Sequence, residues 1–148
     1  MYQHEKIDRN KWDELKKSTF KKMEENKEHF LSMHTKVDDQ NIQIIQEFMY
    51  FNYEDITTSQ LRNIYSLVLD IDKNEPSQLS LKRVKLAYIA GRTDKKKIGL
   101  HNLLTLLDSL FESVKNDTEN LKGVKTFTEA LVAYHKYFDS LKIQPKRY

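Results

Sequence analysis

Lys82, Lys85, Ile89, Arg92 and Lys96 step by three and four residues, and four of the five are basic. Leu81, Val84, Tyr88 and Gly91 step in the same way beside them. Residues at that spacing share one face of a helix. One helix over 79–98 would therefore carry an apolar seam next to a basic seam roughly 21 Å long at 1.5 Å per residue. Such a seam spans several consecutive phosphates, so the chemistry it offers is neutralisation of a polyanion. A solvated face beside a core face produces the same pattern. Lys95 and Lys97 have a separate explanation: in the last turn of that helix the dipole favours cations.

Other chemistries find little support. The chain has no cysteine, which removes disulfides, thiolate metal sites and cysteine nucleophiles. His4, His29, His34, His101 and His135 include no pair at i, i+4, so no helical zinc site is written. His101 and His135 read as structural residues, and Asp70 and Asp72 as groups near a helix end. No glycine-rich phosphate loop, nucleophile elbow or two-metal carboxylate cluster is present. The expectation is no catalytic residue, no metal and no cofactor. Burial on core stripes accounts for most aromatics, leaving Tyr88 and Tyr137 as candidates for base stacking.

The elements that position these groups are helices. With 3 Gly and 2 Pro in 148 residues, the sequence lacks the tight turns of a sandwich or barrel. The net charge of +3 is a weak pointer to nucleic acid by itself. Residues 1–36 read as a charged N-terminal helical extension, weakly held, with Trp12 available for docking. Ile44, Ile45, Phe48 and Phe51 mark a helical face after a polar break at 35–40. Thr57 and Gln60 form a capping box, with Ile56 and Leu61 placed as its hydrophobic staple. The stripe Leu61, Ile64, Tyr65, Val68 and Ile71 follows, ending in a turn at Asn74 and Pro76. Gly91 reads as an interior glycine that admits a close backbone, with Gly99 as the terminator. Leu100, Leu103, Leu104, Leu107, Leu110, Phe111 and Val114 mark a core helix. Val124, Phe127, Leu131, Tyr134 and Phe138 mark the last one, over 121–141. The expectation is an all-α helical bundle of about five helices, with its core over 40–141 and a basic, frayed tail over 142–148. A charged start without an apolar h-region, and no apolar run of roughly 18 residues, imply a cytoplasmic protein without a membrane span.

Three motifs occur in order: Thr57-Thr58-Ser59-Gln60-Leu61-Arg62; Arg83-Val84 leading into Tyr88-Ile89-Ala90-Gly91-Arg92; and Phe127 with Glu129-Ala130-Leu131-Val132-Ala133-Tyr134-His135-Lys136. Together they resemble the small subunit of the type III-A CRISPR effector, the Csm ribonucleoprotein complex, over about residues 40–140. The resemblance implies a non-catalytic bundle lining the channel that holds guide RNA paired to target RNA. The implied neighbours are the backbone filament, the large subunit and adjacent copies of the same chain. Arg62, Arg83, Arg92 and Lys136 fall inside the motifs, whereas Lys82, Lys85 and Lys96 come from periodicity. Arg83 lies off the basic seam, which leaves RNA contact and an ion pair both open for it. The rival readings are a helical adaptor that binds only protein and a small nuclease.

Overall fold

The computed structural model describes residues 6–71, 77–115, 117–141 and 146–147. Among them are seven helices: α1 (Arg9–Glu25), α2 (Lys27–Phe30), α3 (Asp39–Asn52), α4 (Thr58–Leu69), α5 (Ser77–Arg92), α6 (Ile98–Val114) and α7 (Thr118–Leu141). A 3-10 turn, Tyr53–Asp55, links α3 to α4. Two-residue strands, β1 (Lys6–Ile7) and β2 (Lys146–Arg147), pair in parallel. The all-α expectation is met, with seven helices instead of about five, because the N-terminal region adds α1 and the single turn α2. The turn expected at Asn74 and Pro76 lies outside the described residues, as do Asp72, His4 and 142–145 of the tail.

Local signals fix the starts of α1, α3 and α4. The Lys11 N–H donates to Asp8 Oδ1 at 2.8 Å, and the Asn41 N–H to Asp38 Oδ1 at 2.8 Å. The capping box at α4 is formed in both directions: Gln60 N–H to Thr57 Oγ1 at 3.0 Å, and Thr57 N–H to Gln60 Oε1 at 2.9 Å. Each bond satisfies a donor that the first turn would otherwise leave open. Ile56 and Leu61, the staple pair, are both buried.

The core lies between α3, α4, α6 and α7. Ile45, Phe48, Ile64, Val68, Leu103, Leu107, Leu110, Phe127, Leu131 and Phe138 have essentially no exposure. A large apolar side chain buried to this degree contributes roughly 1.5–3 kcal/mol. The N-terminal region is packed where weak attachment was expected: α1 lies along α3, and Trp12 meets Phe51 edge-on at 4.8 Å. Phe30 of α2 stacks on Phe127 of α7 at 4.3 Å. A Cβ on Gly123 would fall on the Leu31 carbonyl, so only glycine admits this backbone approach.

Two expectations for α5 are corrected. The helix ends at Arg92, not near Ile98. Thr93 Oγ1 donates back to the Ile89 carbonyl at 2.7 Å, and Asp94 Oδ1 accepts the Lys96 N–H at 2.9 Å. These side chains give the backbone a turn that competes with further helix. Gly91 is inside the helix, but among the described residues a Cβ there meets nothing within 4 Å, so none of their backbone approaches it. Gly99 does not terminate α5; it sits in the first turn of α6.

Candidate nucleic-acid interface

Helix α4 is a ridge between two grooves. Its inward stripe, Leu61, Ile64 and Val68, anchors it and leaves Arg62, Asn63 and Ser66 exposed. On one side, α4 and α5 enclose an open groove of about 640 Å³ that includes Asn63, Asp70, Lys82, Lys85, Tyr88 and Arg92. On the other side, α4 and α7 enclose about 310 Å³, with Arg62, Tyr65, Lys136 and Asp139 on its walls. Arg62 and Lys136 are 74 positions apart in the sequence, and packing of α4 on α7 brings them to one groove.

The basic seam does not survive intact, because α5 is rotated relative to expectation. The buried positions are Leu79, Lys82 and Leu86. Leu81, Val84 and Tyr88, expected in the core, are 56%, 64% and 65% exposed. Residues 79, 82, 86 and 89 also step by three and four, so the sequence contains two competing stripes. The one with a lysine in it is buried because that charge is paired. The Lys82 side chain is 6% exposed and donates from Nζ to Asp70 Oδ2 at 2.8 Å. That hydrogen bond, then the ammonium charge, holds the Asp70 carboxyl below the usual carboxylate range, with a smaller pull from Lys85. The methylene stem of Lys82 packs as an apolar residue would. Lys82 therefore has a buried stem and reaches an exposed carboxylate at the end of α4, where an outward seam position was expected.

Arg83 makes the ion pair that its off-seam position left open. Its Nε donates to Asp108 Oδ1 at 2.8 Å and its Nη2 to Oδ2 at 3.2 Å, with Glu112 at 3.6 Å. The fork matches the carboxylate in two places, which ties α5 to α6. Hydrogen bonding to Asp108 raises the Arg83 pKa further above its ordinary value.

Lys85 and Arg92 remain exposed on the α5 wall of the first groove. Arg92 carries its guanidinium carbon 5.5 Å from the centre of the Tyr88 ring. The groove continues past Arg92 toward Gln60 and Thr93. Lys96 is exposed in the 93–97 connection, off the helix on which the seam would have placed it. The seven basic candidates thus divide. Lys85 and Arg92 share one groove, Arg62 and Lys136 share the other, Lys96 stands on the adjoining turn, and Lys82 and Arg83 bind carboxylates.

The sequence did not reveal Asp70, Asp108 and Glu112 as neutralising partners. Asp108 and Glu112 lie on α6 at i, i+4, but nothing local marks α5 as their target until the two helices are packed. Among the described residues no group of three or more His, Asp or Glu is placed to hold a metal ion. His135 is buried, with Nε2 2.6 Å from the Ile56 carbonyl oxygen, which suits a structural role. Exposed cations at groove edges can hold phosphates by charge and, for Arg92, through two hydrogen bonds.

A family model described as Csm2 Type III-A matches residues 40–140. No curated protein and no solved structure matches the chain. No helix among the described residues is long and apolar enough to cross a membrane.

Proposed function

Because the chain belongs to the type III-A Csm2 family, and so is a structural subunit of the type III-A CRISPR effector complex, we propose that it lines the channel holding guide RNA paired to target RNA. The observation that carries this reading is the sorting of charge on α5. Lys82 and Arg83 are consumed by carboxylates, while Lys85 and Arg92 stand exposed at a groove. The two walls of α4 then present Lys85 and Arg92 on one side and Arg62 and Lys136 on the other, with Lys96 beyond the end of α5. Contacts from these residues to phosphates position a strand without reading it, and base pairing with the guide supplies specificity. The subunit acts without catalysis of its own, in the cytoplasm, beside the backbone filament, the large subunit and neighbouring copies. The exposed Leu81 and Val84 favour a second reading, a protein-only adaptor.

The test is target-RNA binding by reconstituted complexes over a salt series, after assembly has been verified. Lys85→Ala with Arg92→Ala should weaken binding and make the salt slope shallower by roughly 0.7–0.9 per lost contact. The pair Arg62→Ala and Lys136→Ala should act in the same direction. Lys82→Met should leave the slope unchanged. Unchanged affinity and slope in both groove variants would overturn phosphate contact and leave the adaptor reading.

A further inference from the structure

We infer that the groove between α4 and α5 takes an unpaired nucleotide, whose base stacks on Tyr88 while Lys85 and Arg92 hold the flanking phosphates. The inference rests on the RNA-contact reading above and adds to it the class of RNA this groove accepts.

The described aromatic residues show why Tyr88 differs. Trp12, Phe30, Phe48, Tyr50, Phe127 and Phe138 are buried. Tyr137 is 36% exposed, but its ring lies 5.3 Å from Phe138, edge-on. Tyr88 is 65% exposed and opens on a groove. Its ring contact is the Arg92 guanidinium, an arrangement that orders the ring and keeps a cation beside it. Exposure of so much aromatic surface is unfavourable for a free chain, and nothing in the packing of α5 requires it, since Leu79 and Leu86 already anchor the helix.

Lys85, Tyr88 and Arg92 step by three and four, so one face of about 10 Å carries cation, ring and cation in order. Single-stranded nucleic acid is held by this combination, a cationic track with an aromatic ring on which a base can lie. A continuous duplex offers phosphates but hides its base faces in the stack, so it would use Lys85 and Arg92 and leave Tyr88 idle. Asp70, the carboxylate on the groove wall, is matched by Lys82. The two remaining cations therefore set the sign of the groove.

The experiment uses complexes reconstituted with the full chain and target RNA carrying 2-aminopurine at one position at a time, including positions with no guide partner. The chain is wild type, Tyr88→Phe, Tyr88→Leu, or Lys85→Ala with Arg92→Ala. With wild type and Tyr88→Phe, fluorescence at one or more unpaired positions should be quenched by stacking. Tyr88→Leu should restore that fluorescence and weaken binding about tenfold, with no change in salt slope. The charge variant should lower both affinity and slope. If Tyr88→Leu binds and quenches as wild type does, stacking is overturned, and the charge variant independently shows whether phosphate contact stands. If Tyr88→Leu folds by circular dichroism but fails to assemble, the face meets protein, and the inference is overturned in favour of that occupant.

Discussion

Helices α5 and α6 lie against each other, are 16 and 17 residues long, and bury themselves by different means. Helix α6 puts seven large apolar residues with Gly99 and Leu106 into the interior. Helix α5 buries Leu79 and Leu86 with a lysine between them, and turns Leu81, Val84 and Tyr88 to solvent. The contrast shows that apolar content alone does not choose the buried face. Asp70 receives the one cation on the buried side, Lys82, so that side can face protein, and Asp108 with Glu112 holds Arg83 at its edge.

The largest expected effect separates core leucine from surface leucine. Leu107→Ala in α6 should cost about 3 kcal/mol, since the removed atoms leave a cavity. Leu81→Ala in α5 should change stability by about 0.5 kcal/mol or less, as for other exposed sites. Urea unfolding of the free chain measures both. An equal loss at the two positions would mean that the α5 face is covered even in isolation, and the comparison would fail.

The same substitution at two glycines should give opposite signs. A Cβ at Gly99 would lie 2.6 Å from Asn52 Oδ1, and Asn52 is buried with its amide bonded to the Phe48 carbonyl. Gly99→Ala should therefore destabilise by about 1–3 kcal/mol. Gly91→Ala meets open space inside a helix and should stabilise by roughly 0.5–1 kcal/mol. Thermal melts of the two variants sharpen the contrast. A destabilised Gly91→Ala would show that something packs on this face.

The smallest effect is the acid response of the inner side of α5. The Lys82 ammonium depresses the Asp70 carboxyl, so its contribution is fully present above the ordinary carboxylate pKa near 4. It is lost as pH falls through the lower folded value. The stability difference between wild type and Asp70→Asn should be constant from about pH 7 to 5 and shrink below about pH 4. Urea midpoints across that series test it, and a difference that persists in acid would mean that the pair does not anchor the helix.

Where a helix had one candidate stripe, the sequence was legible. Leu100 to Val114 and Val124 to Phe138 offer no second apolar face, and the α4 capping box is written in consecutive residues. The motif residues Arg62 and Lys136 were named from the sequence, but their shared groove depends on how α4 packs on α7. For α5 two stripes competed, and periodicity favoured the one without lysine. The deciding facts are carboxylates at the end of α4 and on α6, whose pairing is tertiary and carries no local mark. Lys96 was misplaced for a local reason: Thr93 and Asp94 end the helix by bonding their own backbone, and the basic run after them obscured the stop. The N-terminal helices look weakly held in the sequence because charge dominates them, yet Trp12, Met23 and Phe30 are buried and seat them.

Helix α7 carries a consequence for synthesis. Helices α2, α3, α4 and α6 all pack on it, and it is the last of the seven to leave the ribosome. Until Phe127, Leu131 and Phe138 emerge, the inner faces of those earlier helices have no common surface to close against. The nascent chain can pair α1 with α3 and α5 with α6 early, but the faces of α2, α3, α4 and α6 that meet α7 stay open until it appears, and for that interval they are exposed to aggregation and to holding chaperones.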